Sequence, residues 1–481
     1  MQVDERLVAG VVLRVMEQVE KRLGRGIPGV GGIFERLDDA VMAAGIAQGQ
    51  LSMLSREKRS EIIDAMRQVS VKNAALLAEM AVKESGLGRV EDKVAKNRLA
   101  ALKTPGLEDL DTAALSGDHG LTIEELAPMG VIGSITPITN PAATVINNAI
   151  SMLAAGNAVV FCPHPAAKLT SCKTVEVLNQ AILEVGGPAN LLTSVSQPDV
   201  DVAKALMHHP RIDMLSVTGG SAVVSQALAS GKRAIGAAAG NPPAVIDETC
   251  DVRKAGHDVV LGAGLDNNLP CISEKAIVVV DKVAATFMEA MEAGGARRLT
   301  PAEAKAVTQC ILAHKEGKDV LGASGPAEVL GKVAVRKDYV GRRAEVILQA
   351  AGVSISGDPR IAFMEVDQGH PLVWLEQMLP IIPVVRVADV DEAIRTGVAV
   401  EGGHRHTAVI WSRNVDTMTR LARLIKTTVF VKNGPSYAGI GLGGEGHTAF
   451  TIAGATGEGL TSARTFTRRR RCILVDAFSI V

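Results

Sequence analysis

The sequence predicts an α/β protein of two or more domains built on parallel sheets, and three observations carry that expectation. From about residue 128 to residue 220, short strand-like and longer helix-like segments alternate, the rhythm of βαβ units with helices on the sheet faces. A second alternating stretch runs from "AVIDE" through "IVVVD" to "VVRVADVDEAI" and "TAVIWS". The chain has 481 residues, 48 of them glycine, and is 47% hydrophobic, too long for one small core and rich enough in small residues for many tight turns.

Taken in order, residues 1–23 place Val3, Leu7, Val11, Val15 and Val19 four apart, opposite Asp4, Glu5, Arg14, Glu17 and Lys21, which predicts an amphipathic helix. Residues 24–32, "GRGIPGVGG", are a Gly/Pro linker. A helix on such a tether suits docking in another protein's groove, with packing on its own domain as the plainer alternative. Helical periodicity dominates from Ile33 to about Leu110, with Gly86 as an expected C-cap. Then follow strand "GVIGSITPI", helix "AATVINNAISMLAAG", strand "NAVVFCP", helix "KLTSCKTVEVLNQAILEVG", strand "NLLTSV", helix "DVAKALMHHP" and strand "IDMLSVTGG". "AIGAAAGNPP" is read as a crossing segment between domains, and "TSARTFTRRRRCILVDAFSIV" as a strand pair whose Arg468–Arg471 run is a solvated edge or an oligomer contact.

The totals exclude several classes. With 51 basic against 52 acidic side chains, the chain offers no field of one sign to attract nucleic acid or acidic lipid. Its six cysteines form no CxxC pair and no dense regular framework, which favours a reducing, cytoplasmic setting. Apolar runs fall far short of the roughly 20 residues needed to cross a bilayer, and no cleavable signal pattern opens the sequence, so no membrane partner is expected. His208, His209, His404, His406 and His447 lack partners at a metal-ligand spacing, and no GxSxG elbow is present, so neither a metal nor a serine hydrolase is expected.

Three local features point to chemistry. In "DNNLPCISEK", Cys271 follows a polar turn and precedes an apolar strand, where a thiol can face a cavity. In "TPITNP", Asn140 sits between Thr139 and Pro141 after a strand, as a common turn former or as an amide donor for an oxyanion. In "VTGGSAVVSQAL", Gly219 and Gly220 open a helix after a strand, as an ordinary βα turn or as an approach for nucleotide phosphates. Together, a thiol, an amide donor and a nucleotide turn are the parts needed to oxidise an aldehyde through a thioester.

Those residues, with "TPITNPAATVINNAISMLAAGNAVVFCPHPAAK", "AAGNPPAVIDE", "VKNGPSYAGIGLGGEGHT" and "TGEGLTSARTF", resemble the aldehyde dehydrogenase superfamily from about residue 33 onward. Within it they look most like the CoA-acylating propionaldehyde and acetaldehyde dehydrogenases of bacterial microcompartments. The resemblance implies a Rossmann-like nucleotide-binding domain at 33–111 and 128–240, a catalytic domain at 241–440, and oligomerisation strands at 112–127 and 462–481. It makes Cys271 the nucleophile, and Asn140 with the Cys271 backbone N–H the oxyanion hole. Thr218, Gly219 and Gly220 then flank the nicotinamide half of NAD, Glu376 holds the nicotinamide ribose, and Thr136, Pro137, His164 and Pro165 contact the nucleotide or CoA. Without the family, Glu376 would read as a surface helix glutamate. Residues 1–23 and their linker become an encapsulation signal for shell proteins in a microcompartment lumen.

Two departures stand out. Where hydrolytic members carry a glutamate base, this chain has Ala237 in "AAAGNPP", which leaves a thioester to coenzyme A rather than to water. Where many relatives have a lysine before proline, it has Cys162 before Pro163, so NAD over NADP rests on the family. The expected reaction is a short-chain aldehyde, NAD and CoA giving acyl-CoA and NADH, with propionaldehyde ahead of acetaldehyde. A dehydrogenase that releases the free acid and a catalytically idle shell-binding cargo are the alternatives. A homo-oligomer is expected, as a dimer or a tetramer.

Overall fold

The strand Val131–Thr136 is buried along its whole length, as is Ala158–Pro163 beside it, and a run with no polar face belongs inside a parallel sheet covered on both sides. The computed structural model describes residues 31–481, so the expected helix at 1–23 and most of the 24–32 linker lie outside the described residues. In it these two strands are the centre of a six-stranded parallel sheet, ordered Ile33–Phe34, Leu192–Val195, Ala158–Pro163, Val131–Thr136, Met214–Thr218, Arg233–Ala237. The chain leaves Val131–Thr136 toward one edge and returns to the other, so strand order reverses at that strand. Ligands of open α/β sheets bind at such reversals, outside the carboxyl ends of the strands.

A second, seven-stranded parallel sheet runs Arg297–Arg298, Ala362–Val366, Ile381–Val387, Ala276–Val280, Pro243–Ile246, Thr407–Trp411, Val429–Lys432. Its strands alternate between two cores: Val278 and Val280 pack with Ile311 and Leu348, whereas Ile277 and Val279 pack with Phe287 and Trp411. A third sheet is antiparallel, of Ala113–Gly117, Gly120–Pro128 and Thr467–Val475, with Arg469 and Arg471 paired to Glu124 at 3.1 and 2.9 Å.

Most of the expected elements are present within a residue or two, and Gly86 caps its helix at φ 70°. Two readings change. The carboxyl-terminal segment is one nine-residue strand after a short 3₁₀ turn, because Gly120–Pro128 supplies the partner that a hairpin would otherwise need. "AIGAAAGNPP" does not merely cross: residues through Ala237 complete the edge strand Arg233–Ala237, and the next sheet begins at Pro243.

Candidate active site

The turns that leave the first sheet at its carboxyl ends meet the amino ends of strands in the second, and between them lies a cleft of about 620 Å³. Its lining includes Thr136, Pro137 and Asn140 after one strand, His164 and Pro165 after the next, Thr218, Gly219 and Gly220 after a third, and Ala237–Ala239 after the edge strand. From the second sheet come Cys271, ahead of Ala276–Val280, and Glu376, ahead of Ile381–Val387. Every site residue named from the sequence therefore borders one cavity.

Local structure explains these placements. His164 N–H donates to Thr136 O at 3.0 Å and Gly219 N–H to Ala237 O at 3.1 Å, which ties neighbouring turns together. Gly220 is the N-cap of the helix Ser221–Leu228 and supplies no capping side chain, so its first amides lack that partner. A Cβ on Gly220 would meet no atom within 4 Å, so space lies open before that helix, and the side chain of Thr136 ends in a buried hydroxyl without a hydrogen-bond partner. An anionic dinucleotide fits a site with unfilled amides, open space and a spare hydroxyl.

Asn140 is the N-cap of Pro141–Ala154, yet its side chain does not cap that helix. Its Oδ1 accepts from Lys96 Nζ at 2.5 Å, while Nδ2 has only a 3.4 Å contact to Thr139 Oγ1. The amide is thus held by its oxygen, and its N–H group is the available end. Lys96 also bonds Asp266 Oδ2, which Lys93 reaches at 2.9 Å while donating to Thr139 O at 3.1 Å. Arg360 pairs with Asp92 at 2.7 Å, and Asp92 accepts the Asp266 N–H at 2.8 Å. Losing one partner of the buried Lys96–Asp266 pair costs about 3–5 kcal/mol, because the other charge is left uncompensated. Burial pulls Lys96 down to about 8 against the opposing pull of Asp266, and the two lysines hold Asp266 below the usual carboxylate range despite its burial.

The loop before Cys271 is unusual in its backbone. Asp266, Asn267 and Asn268 have φ of 49°, 56° and 64°, a left-handed run that Asp and Asn tolerate better than other residues with a side chain. Each is anchored: Asp266 accepts from Arg89 N–H, Asn267 donates to Gly341 O, and Asn268 donates to Ala263 O and Glu274 O. Fully buried Lys275 donates to Asn268 O, Asn268 Oδ1 and Pro270 O, closing the loop beneath the cysteine.

Burial, then the nearby Glu376 carboxylate, push the Cys271 thiol up to about 12, against Lys275 and Lys96. Burial raises Glu376 as well, although Lys275 and the Gly240 N–H, at 3.3 Å, favour its charged form. Glu376 stands on an irregular segment between strands, not on a surface helix. Among the described residues no group of His, Cys, Asp or Glu is arranged to hold a metal, and no helix is long and apolar enough to cross a membrane. Sequence reasoning missed Lys93, Lys96 and Asp266. A signal was present: on Val90–Lys103, Asp92, Lys93, Lys96 and Asn97 share the buried side with Leu99 and Ala100, where charged residues need partners. The apolar lining Leu269, Met378, Phe450 and Ile452 was missed too.

Residues 34–321 match the model of the aldehyde dehydrogenase family. The chain belongs to that family. It is 50% identical, over 94% of each chain, to the acetaldehyde dehydrogenase (acetylating) EutE of Salmonella typhimurium. The crystal structure of Rhodopseudomonas palustris propionaldehyde dehydrogenase with bound CoA and an acylated cysteine is 44% identical, with a TM-score of 0.89, across 94% of this chain and 100% of that one. A propionaldehyde dehydrogenase from the fucose utilisation microcompartment of Clostridium phytofermentans is likewise 44% identical, with a TM-score of 0.87 and the same coverage.

Proposed function

We propose that this aldehyde dehydrogenase is CoA-acylating, converting a short-chain aldehyde, propionaldehyde first and acetaldehyde next, with NAD and CoA into acyl-CoA and NADH. The observation that carries the reading is the composition of the cleft: Cys271, Asn140 and the uncapped helix at Gly220 share it, while alanine stands at 237. The acetylating relative and the CoA-bound, acylated one support it.

The residues divide the work as follows. Cys271 Sγ, as thiolate, forms a bond to the aldehyde carbon, and the carbonyl oxygen takes the electron pair as an oxyanion. Asn140 Nδ2 and the Cys271 N–H donate to that oxygen. Thr218, Gly219 and Gly220 flank the nicotinamide half of the cofactor, whose phosphates meet the first amides of Ser221–Leu228, Glu376 holds the nicotinamide ribose, and Thr136, Pro137, His164 and Pro165 make the remaining nucleotide or CoA contacts. NAD, when bound, supplies the acceptor for the hydride that leaves the former aldehyde carbon. What remains is a thioester on Cys271. No side chain at 237 can deprotonate water, so the CoA thiolate takes the acyl group and Cys271 leaves as thiolate.

The microcompartment relative supports a place for the enzyme in such a compartment, with residues 1–23 as its contact with shell proteins. Exposed Leu115, Ile473 and Val475 on the antiparallel sheet suit a second copy of the chain. The decisive experiment follows NADH from propionaldehyde with and without CoA, and weighs the protein after turnover without CoA. The expected result is a single burst of NADH and one acyl group on Cys271, with steady turnover only when CoA is added. Steady NADH formation without CoA overturns the reading.

A further inference from the structure

The elements that pin Asn140 are more elaborate than a turn requires. Its carboxamide oxygen faces a cluster in which two ammonium groups, Lys93 and Lys96, share one carboxylate, Asp266, and Asp92 is matched by Arg360. The cluster carries one more positive than negative charge, and of the two lysines only Lys96 touches the Asn140 side chain. Lys96 is 2% exposed and Asp266 fully buried, so little water screens that excess.

We infer that Lys96 is a positioning residue for the oxyanion hole: its ammonium grips Asn140 Oδ1, turns Nδ2 toward the cleft and strengthens it as a donor, while Asp266 fixes Lys96 against the loop that carries Cys271. Gripping the oxygen leaves the amide one orientation, because the flipped amide would set its NH₂ group against a cation. A positive charge on the carbonyl end withdraws electrons from the nitrogen, which makes its N–H groups better donors as negative charge develops on the substrate oxygen. Asp266 opens the left-handed run that leads to Cys271, so one lysine sets donor and nucleophile against each other. The inference rests on the proposed role of Asn140.

The test is a double-mutant cycle on the full chain, read as the single-turnover rate of NADH formation from propionaldehyde, in wild type, Lys96→Met, Asn140→Ala and the double variant. Asn140→Ala is expected to slow the burst by roughly 10²- to 10³-fold. Lys96→Met should slow it by about 10- to 100-fold, with the aldehyde KM unchanged and NAD binding retained. In the Asn140→Ala background the same change should cost less than about twofold. Lys93→Met, which leaves the Asn140 side chain gripped, should act by the same factor in both backgrounds. An equal cost of Lys96→Met with and without the Asn140 amide overturns the inference and leaves the reading of Asn140 standing. A wild-type burst in Asn140→Ala overturns that reading itself. If Lys96→Met does not fold, Lys96→Arg repeats the cycle, with charge kept and reach altered.

Discussion

The two walls of the cleft differ in how they use charge. The wall from the first sheet is made of strand ends and small residues, Gly219, Gly220 and Ala237–Ala239, and offers backbone and space. The wall that carries Cys271 is backed by buried ionic groups: Lys275 beneath the loop, Glu376 beside the thiol, and Asp266, which reaches across to Lys96 behind Asn140 of the first wall. Charge is concentrated behind the proposed nucleophile and its amide partner and is absent at 237, where the cleft carries only alanine. The contrast teaches that, on the proposed mechanism, the fate of the acyl group is decided by what one wall lacks as much as by what the other holds.

The largest effect that would test this contrast comes from the charged wall. Cys271→Ala is expected to reduce NADH and acyl-CoA formation to background, a loss of more than about 10³-fold, with the thermal unfolding midpoint little changed. Turnover in that variant would show that the wall serves something other than the thiol. The next test fills the bare wall. Ala237→Glu places a carboxylate on the cleft opposite the thioester and should raise CoA-independent release of the acid by about tenfold or more, measured as steady NADH without CoA. If hydrolysis stays at its original level, the missing carboxylate is not what protects the acyl group.

The smallest effect concerns proton balance at the thiol. Burial first, and Glu376 second, raise Cys271 to about 12, so between pH 7 and 9 the free enzyme holds the thiol mostly protonated. Iodoacetamide should label Cys271 faster as pH rises, by close to tenfold per unit with no plateau by about pH 9. Glu376→Gln removes the neighbouring anion, favours the thiolate and should speed labelling a few-fold at fixed pH. A plateau near neutral pH would mean that Lys275 and Lys96 outweigh burial.

Much of this architecture was legible in the chain because its signals are local. Strand and helix periods, the glycines after Thr218 and the Asn/Pro loop before Cys271 each act within a few residues. What was hidden depends on partners far apart in sequence. By its local sequence Glu376 could not be separated from a surface helix glutamate, and only the family resemblance singled it out; the irregular segment before Ile381 brings it beside Gly240. Lys96 looked like one lysine of a helical stretch, and its meaning comes from Asn140 and Asp266, more than 40 and about 170 positions away. The terminal arginines suggested an edge and could not reveal that Gly120–Pro128 was waiting as the partner strand.

The left-handed run Asp266–Asn267–Asn268 has a consequence for variation. Most side chains at such backbone angles cost on the order of 1 kcal/mol or more each, and β-branched ones cost more. Glycine would keep the path of the chain but lose the anchoring bonds. Few side chains can therefore replace these three without cost, so the segment that leads to Cys271 accepts only a very small alphabet.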